Sequence, residues 1–208
     1  MKKATVLLIS LLIVTLICAT SCLAEASNAI AIYFLYSDNT EDPANPGVDA
    51  VTTATPYTEL DFSDIAEMTK MLAARGMDTY AIVANEKYDA NFDVMVGGAE
   101  EDIENGRQFT FENLPDLSGY TDIYLGIPVW WATLPQQAKS FLQSPELNLS
   151  GKTVHFYSSH LGSRFGDMIE QIEALFPDAA LADDPYTIRA SDSIKEHESE
   201  FVAWIDAQ

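Results

Sequence analysis

Apolar residues in this chain gather into short runs separated by stretches of helical periodicity. Asn28 to Tyr36 reads NAIAIYFLY, a continuous apolar run rich in isoleucine and aromatic residues, as a strand covered on both faces requires. Further runs predict strands over Thr79 to Ala84, Thr121 to Val129 (with Pro128 near its end), Thr153 to Ser158, and a short fifth over Ala179 to Ala182. Between the first two, Asp61 to Arg75 sets Ile65, Met68 and Leu72 at helical spacing, with Asp61 placed to cap the helix and Gly76 to end it. The second half of Tyr88 to Gly106, Pro135 to Gln143, Phe165 to Phe176 and Ser191 to Ile205 read as further helices.

Strands and helices in strict alternation predict a doubly wound α/β domain, a parallel sheet with helices on both faces. Ligands of such sheets sit beyond the carboxyl ends of the strands, where the strand order reverses, so the loops after the first, third and fourth strands are the candidate sites. One stretch breaks the alternation. Ser37 to Glu59 is rich in Pro, Asp, Asn and Thr without periodicity, too long for a simple connection, and such loops are as a rule functional or disordered.

The amino terminus follows a different pattern. Lys2 and Lys3 precede an apolar run from Val6 to Ile17, and Ala19-Thr20-Ser21 lead to Cys22, the layout of a secretory signal. The run is shorter than the roughly 20 residues a spanning helix needs. Small residues followed by cysteine resemble the bacterial lipobox, which would make residues 1–21 the signal, Cys22 the lipidated start, 22–28 a tether and 29–208 the folded domain. The competing cut at Ala24-Glu25-Ala26 would release a soluble protein from Ser27. The lipidated form, exported and anchored to the cell membrane outside the cytoplasm, is the working expectation.

Both cysteines, Cys18 and Cys22, fall in this segment, so the folded body has none for disulfides, thiolate catalysis or metal ligation. Three scattered histidines add no metal centre. Without Lys2 and Lys3 the body carries 11 − 2 = 9 basic against 32 acidic side chains, a formal charge of 9 − 32 = −23. That charge repels nucleic acid and anionic membrane surfaces, leaving the lipid as the route to a membrane, and favours a basic protein partner. The acidic stretch Glu100-Glu101-Asp102 with Glu104 reads as a solvated helix face. No Ser-His-Asp spacing, paired carboxylates with a base, or P-loop is present.

Four segments carry more specific chemistry: YFLYSDNT at the first strand end, GIPVWWATLP after the third, SGKTVHF before the fourth and SSHLGSRFG after it. Together they resemble the flavodoxin-like family, in particular its bacterial branch with a long first loop, over Ile30 to Tyr186. The resemblance implies a flavodoxin-like five-stranded sheet in the order 2-1-3-4-5 and FMN as ligand. Its phosphate would be held by the first loop through Ser37, Asn39 and Thr40. Its ring would lie between Pro128, Val129, Trp130 and Trp131 on one side and Ser159, His160, Gly162 and Ser163 on the other. One of two adjacent tryptophans at a strand end points away from the core. His155, inside a strand, and His197, in an acidic helix, suggest no site.

The phosphate loop departs from the family's Gly-Asn-Thr element. Ser37-Asp38-Asn39-Thr40 keeps the asparagine and threonine, but Asp replaces Gly, and Pro43 and Pro46 prevent a helix from following directly. Leu60-Asp61-Phe62 stands at the right distance before the helix without any of those residues. Glu59, Asp61 and Asp64 crowd the helix start, and a capping Asp61 would occupy the place of the phosphate. No arginine or lysine lies between Ile30 and Met68. Two functions remain open: an FMN-binding electron carrier or oxidoreductase of quinone-like substrates, and a flavodoxin-like domain that has lost FMN and serves as a surface binding module.

Overall fold

Alternate residues of the first strand, β1 (Ala29–Phe34), enter different layers: Ile30, Ile32 and Phe34 join one apolar cluster, Ala29 and Ala31 the other. Period two demands this of a strand buried on both faces. The structure, a computed structural model, describes residues 28–41 and 63–208. The signal at 1–21, the lipidation at Cys22, the tether up to Ser27, the Asp61 cap and residues 42–62 lie outside the described residues.

A 3-10 turn at Ser37–Asn39 follows β1. Then come α1 (Asp64–Ala73), β2 (Asp78–Ile82), α2 (Phe92–Asn105), β3 (Asp122–Gly126), α3 (Gln136–Leu142), β4 (Thr153–His160), α4 (Met168–Leu175), β5 (Ala180–Leu181), β6 (Tyr186–Arg189) and α5 (Glu198–Ala207). The paired strands are parallel, in the expected order β2-β1-β3-β4-β5. Helices α1 and α5 cover one face through Met68, Leu72, Phe201 and Trp204; α2, α3 and α4 cover the other through Met95, Phe141 and Ile172.

The elements differ from the sequence expectation where burial is partial. The fifth sheet position is shared by two pieces, β5 beside Thr153 and Val154 and β6 beside Tyr157 to His160. Only Ile188 of β6 is buried, so no apolar run announced it. Pairing with β6 carries β4 past Ser158 to His160. Helix α2 begins as early as Phe92, because the Asn91 side chain accepts the Asp93 and Val94 N–H groups. The closing helix α5 begins at Glu198 rather than Ser191; a 3-10 turn takes Ala190–Asp192.

Gly126 of β3 pairs with Tyr157 of β4, and a Cβ at Gly126 would run into the Tyr157 ring. The Tyr157 hydroxyl reaches Thr69 Oγ1 on α1 at 2.7 Å. The missing side chain thus lets a buried tyrosine cross the sheet face and tie α1 to it. The chain leaves β1 toward β2 and leaves β3 toward β4, so strand order reverses between β1 and β3, and their carboxyl ends frame the crevice where ligands of this architecture sit.

Candidate functional site

The end of β1 is stitched to the end of β2 by Asn39, which is wholly buried. Its Nδ2 donates to the Leu35 and Ile82 carbonyls, both at 2.9 Å, and its Oδ1 accepts the Ala84 N–H at 3.0 Å. The Tyr88 N–H donates to the Asn39 carbonyl and the Glu41 N–H to the Tyr88 carbonyl, each at 2.9 Å. The Asn39 amide is therefore committed to backbone and cannot also hold a phosphate. Thr40 beside it is buried, with an Oγ1 that has no partner among the described residues, while Ser37 is half-buried. Lys87 brings a cation to this turn, donating to the Asp38 carbonyl.

After β3, Pro128 and Val129 are buried, and the Val129 N–H donates to the Ser159 carbonyl at 2.9 Å. Trp130 and Thr133 exchange backbone hydrogen bonds of 3.1 and 2.9 Å, and between them Trp131 and Ala132 have φ of 53° and 60°. Those are the marks of a type I′ turn, usually made by Gly or Asn. Left-handed backbone costs an ordinary L residue roughly 1–2 kcal/mol. The turn parts the two tryptophans. Trp130 is wholly buried, with ring centroids 5.4 Å from Phe34, 6.3 Å from Tyr36 and 5.9 Å from Tyr88. It belongs to the core rather than to a ligand. Trp131 stays partly exposed, and its buried Nε1–H has no acceptor among the described residues.

After β4, Ser159 and His160 are buried at the strand end, and Gly162 and Ser163 are exposed on the loop. The His160 Nδ1 accepts the Gly162 N–H at 2.9 Å, which places the ring proton on Nε2. Burial and the charges of Arg164 and Arg189 hold its pKa below the usual value, with Asp192 acting against them. The third and fourth loops are joined. The Asp167 N–H donates to the Ala132 carbonyl at 3.1 Å, Gln171 Nε2 donates to Thr133 Oγ1, and Gly166, with φ of 56°, leaves no room for a Cβ beside that carbonyl. One rigid rim thus carries Pro128, Val129, Trp131, Ser159, His160, Gly162 and Ser163.

The start of α1 is closed by its own residues. Ser63 Oγ accepts the Ala66 N–H at 3.0 Å. Asp64, only 3% exposed, accepts the Ile194 N–H on Oδ1 at 3.0 Å. Burial pushes its pKa up to about 6; Asp192 and Glu67 add to the rise, while the Ile194 N–H and Lys195 oppose it. The sequence counted Asp64 only among three acids crowding the helix start, and it singled out nothing at Arg189. The segment that buries Asp64 lies far along the chain, and Arg189 sits on the strand that left no apolar run.

The sequence pattern of the family described as Flavodoxin matches residues 66–206. The chain belongs to the flavodoxin family. No protein of curated function matches it. Among solved structures, a protein assigned as a flavoprotein from Bacteroides eggerthii is similar, at 19% identity over 86% of this chain and 96% of its own, with a TM-score of 0.56. Another so assigned, from Bacteroides uniformis, shares 18% over 79% and 92%, also at 0.56. A flavoprotein in complex with FMN from Lactobacillus acidophilus shares 14% over 82% and 98%, with a TM-score of 0.52.

The family implies FMN, and the two ends of that ligand meet different conditions in this flavodoxin. The rim fits a flat ring: it is stiff, partly apolar, and carries an unanswered indole N–H and a neutral imidazole. The α1 start does not fit a phosphate, because Ser63 takes a first-turn N–H and a carboxylate is sunk where the helix dipole would favour the dianion. An open cleft of about 500 Å³ between residues 142–150 and 175–179 lies among the helix-to-strand connections and includes none of the rim residues.

Proposed function

We propose that this flavodoxin binds a flavin of the FMN class at the rim of its third and fourth loops and passes electrons, as a carrier or as a reductase of quinone-like substrates. The observation that carries the reading is the Trp131-Ala132 turn. Two ordinary residues are held in left-handed backbone, and the turn leaves Trp131 half-exposed with a buried, unpartnered N–H. Left-handed backbone at ordinary residues is a form of strain that clusters at binding sites. A bound flavin supplies hydride and single-electron transfer; the chain holds the ring and sets its electrostatics. Trp131 would offer an indole face and donor, His160 an Nε2–H, and Gly162 and Ser163 the facing backbone. Ser37 and Thr40 would serve the ligand's polar tail. The FMN carried by the Lactobacillus acidophilus relative supports the assignment.

The reading extends to location. The amino-terminal pattern supports export and a lipid anchor at Cys22 outside the cytoplasm, and the acidic body supports docking to a basic redox partner. A second reading, a surface binding module without flavin, draws its support from Asp64 at the α1 start. The test is a flavin titration of the full chain purified in mild detergent, followed by fluorescence and the visible spectrum. Saturable quenching at micromolar flavin or below is the expected result. No response at millimolar flavin, from protein shown by circular dichroism to be folded, would refute flavin binding and leave the module.

A further inference from the structure

We propose that the flavin this chain selects carries no phosphate: a flavin with a neutral, hydroxylated tail, of the riboflavin type, is held in preference to FMN because Asp64 occupies the α1 amino terminus. The inference rests on the flavin reading above and concerns which member of that class is taken.

Helix α1 follows β1, so its first turn belongs to the edge where strand order reverses. The first N–H groups of such a helix, together with its dipole, are what hold a phosphate. Here the Ala66 N–H goes to Ser63 Oγ and the Glu67 N–H to the Ser63 carbonyl. The Asp64 carboxylate sits in the same turn, almost fully out of water and fixed by the Ile194 N–H. Among the described residues, the charged groups that act on it are Glu67 of the same helix and Asp192 of the 3-10 turn, both acidic, with Lys195 the one cation; Tyr186 of β6 lies near it as a neutral phenol. A dianion placed there meets like charges in a setting that water screens weakly. Neutral hydroxyls, by contrast, carry no charge and meet no such repulsion. The Asn39 amide is committed to three backbone groups and offers the dianion no compensation. The hydrogen bonds that join the third and fourth loops involve none of these groups, so loss of phosphate recognition leaves the frame for the ring in place.

The experiment compares riboflavin and FMN binding to the full chain by fluorescence and calorimetry, at pH 7.5 and pH 5.0, for the native protein and for Asp64→Asn. The amide of the variant keeps an oxygen for the Ile194 N–H and drops the charge. Riboflavin is expected to bind at least about tenfold more tightly than FMN at pH 7.5, a difference that RT ln K makes easily resolved. The gap narrows at pH 5.0, where Asp64 and the phosphate each gain a proton, and closes to within about threefold in Asp64→Asn at pH 7.5. Because the variant retains only the phosphate titration, it separates the two contributions. FMN binding as tightly as riboflavin to the native protein at pH 7.5 would overturn the inference and leave the flavin reading standing. A preference that neither the substitution nor the pH changes would overturn the role given to Asp64. Binding of neither flavin to folded protein would remove the flavin reading and this inference with it. Should Asp64→Asn not fold, Asp64→Ser, which also drops the charge, takes its place in the same comparison, with the same expected and overturning results.

Discussion

Replacing Asn39 by alanine separates a structural role from a ligand contact. The substitution removes three hydrogen bonds of 2.9 to 3.0 Å from a residue that water does not reach. The Leu35 carbonyl is only partly buried and regains water. The Ile82 carbonyl and the Ala84 N–H lose their Asn39 partners inside the protein, at about 1–3 kcal/mol each. The sum, about 2–6 kcal/mol, is a large share of the 5–15 kcal/mol that holds a typical domain together. In urea, followed by circular dichroism, the midpoint should fall by that much stability with an unchanged slope. Flavin affinity of the protein that remains folded should stay within about threefold, since the amide faces backbone and not the crevice. Asn39→Asp keeps the acceptor for Ala84 but turns a second oxygen toward carbonyls, so its loss should ease as pH falls and the carboxyl is protonated. An Asn39→Ala protein within about 1 kcal/mol of native stability that no longer binds flavin would refute the reasoning and return Asn39 to the ligand.

Trp130→Ala should cost about 3–5 kcal/mol, whereas Trp131→Ala should cost under about 1 kcal/mol and weaken flavin binding at least tenfold; the reverse pattern in denaturation and titration would show that the turn had been misread. Gly126→Ala must displace the Tyr157 ring and its bond to Thr69, so a loss of about 3 kcal/mol is expected by urea denaturation, and an unchanged midpoint would contradict the packing. Asp64 has its pKa raised from 3.8 to about 6 in the folded chain, so the native state holds an extra proton between those values. Its contribution is complete below about pH 4 and lost as pH rises through about 6, about 3 kcal/mol in all. Asp64→Asn should remove that slope, so the stability difference between variant and native protein, measured from pH 4 to 7.5, should grow in the variant's favour; a flat difference would refute it.

The sheet was legible because it is parallel and covered on both faces: β1 and β3 are largely apolar, β4 keeps Val154, Phe156 and Tyr157 at its centre, and runs such as NAIAIYFLY say so without help from tertiary contacts. Legibility failed at the sheet edge for the same reason. Tyr186 and Thr187 are half-buried and Arg189 is exposed, so β6 has neither an apolar run nor a clean alternation. The polar end of β4 was equally silent, because Ser159 and His160 are buried by their pairing with β6 rather than by apolar character.

The site was legible as loops and not as side chains, and the physical cause is the same in each case. Trp130 and Trp131 are indistinguishable as letters; a type I′ turn built without glycine or asparagine sends one into the core and leaves the other at the rim, and no residue type announces such a turn. Asn39 looked like a loop donor because two of its partners, Ile82 at the end of β2 and Ala84 just beyond it, lie more than 40 residues away. Asp64 was one of three acids crowding a helix start, among which the sequence favoured Asp61, and it is buried because the 190–194 segment lies over it, 130 residues along the chain. Local pattern therefore pointed to the loops, while long-range contacts decided which of their side chains are buried. Under the proposal of a flavin without phosphate, the joined third and fourth loops and the buried Asp64 carboxylate in the first turn of α1 are two parts of one arrangement, the first for the ring and the second against the dianion.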